Sequence, residues 1–240
     1  MHKKYKYEKK RICILRRNFK KKVSFFLKNR YLFLVNKERG IKVYPIRDED
    51  NTLINILDKV NVNLTRFGLL NRLDKYSSGI IVFCRKEKVF KKMIIEQKKK
   101  KIKKFYIALV KGFTKFKKKK VTCFLKGKKG CFYSFKKKKE YKFSSTNFIL
   151  LNKGSFNNEG LSLVKCITNT GRYHQIRKHL KIINLCLFND KIYDRKTKKN
   201  GFFLNLYMIK YRSKKITTDF RFFLLDFYFD FTFDKKVILK

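Results

Sequence analysis

A guanidinium and a carboxylate, Arg72 and Asp74, stand two residues apart in the segment Asn71-Arg72-Leu73-Asp74-Lys75-Tyr76-Ser77-Ser78-Gly79. In an extended segment both side chains project to the same side, and a cationic neighbour favours the ionised form of a carboxylate. Ser77-Ser78-Gly79 then turns the chain into Ile80-Ile81-Val82-Phe83-Cys84, an apolar run that reads as a buried strand. An ionised carboxylate on a loop entering a rigid sheet is a position from which a nucleophile can act. The same spacing beside a turn also suits a surface ion pair. The local pattern alone does not choose between the two.

Other reactive groups are sparse. Six cysteines (Cys13, Cys84, Cys123, Cys131, Cys166 and Cys186) are scattered without a Cys-x-x-Cys pair. Several lie in apolar runs, where a thiol packs as a small hydrophobe. They read as free thiols of a reducing cytosol. His174 and His179 are five residues apart, about 140° around a helix, so they share no face and predict no metal site.

The formal net charge is +48 over 240 residues, which calls for a polyanionic partner, nucleic acid first among them. That signal is blunted by composition. One Pro, one Ala and no Trp beside abundant Lys, Phe, Ile and Asn match drift in an AT-rich genome, which inflates lysine wherever a surface tolerates it. The charge is therefore a weak electrostatic footprint. A 44% hydrophobic and 16% aromatic content excludes a wholly disordered chain. No apolar window reaches the length of a membrane span, and the N-terminus lacks an apolar signal region, so a cytoplasmic protein without membrane association is expected.

The elements that must position these residues follow from periodicity. Residues 1 to about 28 read as a mobile basic arm, and 29–240 as one domain. Tyr31 to Val35 is an apolar strand ended by a turn over 36–40. Leu53, Ile54, Leu57 and Val60 recur at helical spacing behind Asn51 and Thr52, and an amphipathic helix is predicted over about 87–97. Strands are predicted at Phe105 to Val110, Val121 to Leu125, Cys131 to Phe135 and Leu161 to Thr168. The lysine runs at 98–101, 117–120 and 136–139 are placed in loops, and a helix spans Tyr173 to Ile183. Phe227, Phe229, Phe231 and Phe233 alternate with polar residues as in a half-buried strand. One mixed α+β domain is the economical reading.

The segment Asn71 to Gly79 resembles the His-Arg-Leu-Asp-x-x-Thr-Ser-Gly signature of the large-ribosomal-subunit and transfer-RNA pseudouridine synthases often called the RluA family. Two more segments match in order. Lys104-Phe105-Tyr106-Ile107-Ala108-Leu109-Val110-Lys111-Gly112 is similar to the family's Lys-x-Tyr-x-Ala-x-Val-x-Gly strand. Gly171-Arg172-Tyr173-His174-Gln175-Ile176-Arg177-Lys178-His179 is similar to its Gly-Arg-Thr-His-Gln-Ile-Arg-x-His motif. Weaker echoes are Leu34-Val35-Asn36-Lys37 with Gly40, and Asn189-Asp190-Lys191-Ile192-Tyr193.

The resemblance implies an α+β pseudouridine synthase domain: a mixed, mostly antiparallel central sheet, split by an active-site cleft and flanked by helices. It implies isomerisation of specific uridines, most naturally in large-subunit ribosomal RNA, with transfer RNA as the alternative target. A non-catalytic ribosome-assembly factor retaining the fold is the alternative from another class. Asp74 is then the nucleophile that lets the base detach from C1′ and re-attach through C5. Tyr106 stacks on the flipped base and removes the later proton. Arg177 pairs with Asp74, and Arg72 fills the space vacated by the base. Arg172, His174 and Gln175 join Arg72 on the RNA-binding side, the last two as supports of a helix terminus. Such an isomerisation needs no metal and no cofactor, and a monomer is expected. Asn71, Ser77 and Tyr173 depart from the signature residues, as do Glu38 and Asn189 in the weaker echoes. An N-terminal S4-type module, carried by some members, does not fit within the short arm.

Overall fold

The computed structural model describes residues 23–28, 30–44, 52–56, 64–127, 131–156, 159–194, 196–197 and 201–217. The chain divides into two compact units near residue 94, and each is described by itself.

In the first unit, β1 (Val23–Lys28) pairs antiparallel with β2 (Leu32–Lys37), which pairs antiparallel with β3 (Ser78–Cys84). Half-burial does not apply to β3: all seven of its residues are buried, as a continuous apolar run predicts. Phe33 and Phe83 sit opposite each other in the ladder and stack with ring centroids 4.6 Å apart. The basic arm expected over 1–28 is corrected at its end. Val23-Ser-Phe-Phe-Leu-Lys28 has the aromatic and β-branched character of a strand, and it pairs as one. Residues 1–22 lie outside the described residues. So does most of the helix expected behind Thr52, of which α1 (Leu53–Ile56) is described. The helix expected at 87–97 is α2 (Glu87–Lys98), with Glu87 in its first turn and Lys98 in its last, as the helix dipole favours.

The second unit is built on an antiparallel sheet. Its strands are β4 (Ile102–Lys111), β5 (Lys118–Lys126), β6 (Tyr133–Ser134), β7 (Tyr141–Phe156), β8 (Glu159–Thr168), β9 (Leu204–Tyr211) and β10 (Lys214–Thr217). Among the described residues their order is β10-β9-β4-β8-β7-β5-β6. One face of β4 and β8 carries a core of Ile107, Leu109, Leu161, Leu163, Phe188 and Phe203. The helix α3 (Gln175–Ile182) packs on β7 and β5, through Gln175 to Thr146 and His179 to Ser144 and Cys123, and Gln175 to Leu180 are all buried. A helix so enclosed needs partners for its polar side chains.

Three expectations shift. Lys118 to Lys120 belong to β5 rather than to a loop; they are exposed there, and the apolar positions Val121, Cys123 and Leu125 carry the strand. The strand expected over Cys131 to Phe135 shortens to two residues. The long strand β7 had no counterpart in the periodicity. Its buried face is Ser144, Thr146 and Phe148, so polar residues occupy the positions where an apolar alternation would show. The alternating stretch 227–234 lies outside the described residues.

Candidate active site

Asp74 lies half-buried on the irregular segment between Leu69 and β3, with Arg72 exposed and Leu73 buried beside it. The out-in-out order follows from an extended backbone. Three sets of bonds fix this segment. Asn71 donates from Nδ2 to Ile80 O (2.9 Å) and accepts from Val82 N at Oδ1 (2.9 Å). Asn71 thus fills the signature histidine's position with a buried amide bridging the segment to β3. Beyond Asp74, Ser77 N donates to Asp74 O (3.1 Å), closing the turn at Lys75-Tyr76. Gly79 then enters β3 at φ 110, a left-handed value that suits glycine there.

The third set comes from Lys37, fully buried at 0% exposure. Its ammonium donates to Glu38 O (2.8 Å), Ile41 O (2.9 Å) and, more weakly, Lys75 O (3.4 Å). Burial pulls its pKa down to about 7, while the Asp74 carboxylate draws it up. Gly40 N also donates to Lys75 O (2.8 Å), so the carbonyl after Asp74 is held from two sides.

In the second unit Tyr106 is a half-buried residue of β4, opposite Cys166 of β8 and Leu206 of β9. Lys104 precedes it on the same face of the strand. The loop Thr170 to His174 leads into α3. Gln175 organises it: its Oε1 accepts from Thr170 Oγ1 (2.8 Å) and Arg172 N (3.1 Å), and its Nε2 donates to Ser145 O and Thr146 Oγ1 (both 3.0 Å). Gln175 is therefore turned into the fold. Arg172 is half-buried and donates from Nε to Phe143 O (2.9 Å). His174 adopts φ 53, a strained value for a non-glycine residue. It is held by a stack on Tyr173, with centroids 3.8 Å apart, and by Nδ1 to Tyr193 Oη at 3.0 Å. His179 is buried, contacts Ser144 Oγ through Nε2 (2.8 Å), and is pushed by burial down to about 4, so it stays neutral at physiological pH.

Arg177 is 3% exposed and Asp190 is 1% exposed. Arg177 Nε and Nη2 each donate to one carboxylate oxygen of Asp190 at 2.7 Å, a bidentate pair. The guanidinium also lies over Phe202 (4.4 Å) and Tyr193 (4.9 Å). Asp190 in turn accepts from Ile192 N and caps a turn ending at Asp194. Asp190 was visible in the sequence only as a weak echo, because its partner is thirteen residues away. Lys37 and Lys104 were within matched segments but carried no assignment; Lys37 stands among polar residues and Lys104 follows Lys103 and a lysine run, so nothing local marked either as buried. Among the described residues no cluster of His, Cys, Asp or Glu could hold a metal ion, and no helix is long and apolar enough to cross a membrane.

Residues 31–181 match the family model described as RNA pseudouridylate synthase. The chain is 29% identical over 184 residues to ribosomal large subunit pseudouridine synthase D of Borreliella burgdorferi, covering 72% of this chain and 55% of that protein. It thus spans about half the length of this relative. Among solved structures, human RNA pseudouridylate synthase domain containing 1 aligns with a TM-score of 0.66 at 18% identity, covering 82% of this chain and 83% of that one. Human RNA pseudouridylate synthase domain containing 4 aligns with a TM-score of 0.67 at 13% identity, covering 89% and 94%. These likenesses establish the α+β fold. With the family model covering most of the chain and all three motifs, the chain belongs to the RNA pseudouridylate synthase family.

Proposed function

We propose that this protein isomerises specific uridines to pseudouridine in RNA, with Asp74 as nucleophile. The observation that carries the reading is the family match over 31–181, which contains the segments of Asp74, Tyr106 and Arg177 in order. A nucleophile requires a carboxylate held in one place on a rigid support. The Asn71 bridge and the buried Lys37 meet that requirement for Asp74. Tyr106 is assigned to the flipped base and the later proton removal, and Arg177, itself fixed by Asp190, to the ionised carboxylate. Exposed Arg72 is assigned to the space that the flipped base leaves. Large-subunit ribosomal RNA is the proposed substrate, supported by the name of the Borreliella relative, and the cytoplasm is the proposed site of action.

Tritium release from RNA labelled at uridine C5 tests the chemistry, since re-attachment through C5 must expel that hydrogen. Release by the wild type and none by Asp74→Ala is expected. Equally little release by both, on ribosomal and transfer RNA alike, would leave a non-catalytic RNA-binding role. Mapping pseudouridines in cells with and without the protein separates the two RNA classes.

A further inference from the structure

Two cations of the second unit, Lys104 and Arg172, are partly or wholly withdrawn from water, and among the described residues no carboxylate balances them. Lys104 is 6% exposed, yet among the described residues the charged group acting on it is another cation, Arg172. Arg172 is half-buried, and its one side-chain hydrogen bond is to the backbone carbonyl of Phe143. No carboxylate among the described residues pairs with either. A Cβ placed on Gly171 would lie 3.3 Å from Lys104 Nζ. The ammonium therefore lies beside Gly171, which is itself exposed, with the Gln97 amide nearby (4.0 Å from the same Cβ position). Lys100 sits over the ring of Phe143 at 4.3 Å and adds a third positive charge beside the same carbonyl-bearing residue.

Burying an uncompensated charge is costly, and folds normally avoid it or pair it. Lys104 shows the strain as a pKa pulled down to about 8 by burial, with Arg172 adding to the fall. The contrast with Lys111 on the same strand is direct: Lys111 pairs with Asp194 (3.1 Å) and Glu159 (3.4 Å), and its pKa is raised. Carboxylates thus reach this strand at Lys111, and among the described residues none reaches it at Lys104.

We propose that Lys104 and Arg172 form a binding site for a phosphodiester of the RNA, on the face of β4 that carries Tyr106. Lys104 and Tyr106 are two residues apart on one strand, roughly 7 Å. One nucleotide spans such a distance between its base and its phosphate, so a base at Tyr106 brings a backbone phosphate to Lys104. The ammonium supplies a point charge and Arg172 a planar fork, the two usual phosphate donors. A side chain at Gly171 would come close to the ammonium, so glycine leaves room beside it. The identity of the anion as RNA rests on the proposed function; the unbalanced cation pair does not.

Two measurements test the site on the full-length protein. Nuclear magnetic resonance of the lysine side chains, with Lys104 assigned by its loss in Lys104→Arg, follows its titration with and without inorganic phosphate. Phosphate should move the Lys104 titration from about 8 toward its ordinary 10.5, and chloride at equal ionic strength should not. No movement with phosphate would overturn the site. The salt dependence of oligouridylate binding gives the second readout. Lys104→Gln should flatten the slope of log K against log salt by about 1, and Lys104→Arg should restore it. An unchanged slope in Lys104→Gln, with wild-type uridine isomerisation intact, would overturn the RNA assignment and leave the proposed function standing. A phosphate-dependent titration in a protein that isomerises no RNA would keep the anion site and remove the proposed function.

Discussion

The segment around Asp74 and the segment around Arg177 solve the same problem, fixing one charged side chain, by opposite means. Asp74 is half-buried and its loop is held through backbone groups: Asn71 bridges to Ile80 and Val82, and Lys37 gathers the carbonyls of Glu38, Ile41 and Lys75. Arg177 is buried and held by its own side chain, through the bidentate Asp190 and two aromatic faces. In the first arrangement the place of the carboxylate is set from behind, through the backbone of its loop. The second makes the side chain itself part of the structure. A nucleophile suits the first arrangement and a positioning cation the second.

Breaking the Arg177 side should cost the most stability. Asp190→Ala leaves a buried guanidinium without its carboxylate and should lower the unfolding free energy by about 3–5 kcal/mol. Chemical denaturation reads this directly. Replacing both partners, Arg177→Met with Asp190→Leu, should recover much of that loss while leaving the protein inactive. Asn71→Ala should cost less, about 1–3 kcal/mol, since it strands one buried donor and one acceptor on β3. If the two segments are held as described, Asn71→Ala should also lower the turnover number more than the substrate affinity, because it loosens the loop of Asp74.

The smallest effect is in pH dependence. Lys104 binds its proton less tightly in the fold, at about 8, than in the unfolded chain at 10.5. The unfolded chain therefore holds more protons between about 8 and 10.5, and the Lys104 contribution to stability rises with pH across that window. Below it, both forms are protonated and the burial cost is fully present. Thermal melts of wild type and Lys104→Met should thus diverge in favour of the variant as pH falls from 10.5 to about 8. Saturating phosphate should narrow the difference. Lys37, drawn down to about 7, should give the same sign over a wider window.

The two segments also differed in how far the sequence disclosed them. The Asp74 loop was legible in part, from a charged pair at spacing two and an apolar strand behind it, while the choice between nucleophile and surface ion pair came from the motif resemblance. The turn lies at Lys75-Tyr76, and Ser78 and Gly79 belong to β3. Arg177 was legible as a residue but not with its partner, since Asp190 approaches from a separate loop. The supports of α3 were the least visible. Ser144 and Thr146 of β7 face inward to meet His179 and Gln175, so the strand showed no apolar alternation there. Periodicity detects burial only where burial is apolar. The lysine runs misled in the other direction: Lys118 to Lys120 read as loop, although an edge of exposed lysines is compatible with a strand whose opposite positions are apolar.

The central claim is that Asp74 is the nucleophile, and the isosteric Asp74→Asn tests it most directly. The substitution keeps the shape of the side chain and the backbone bonds of its loop. Tritium release from C5-labelled uridine RNA should fall by more than about 10³-fold, with denaturation midpoint and RNA affinity near the wild-type values. Release by Asp74→Asn at the wild-type rate would contradict the account.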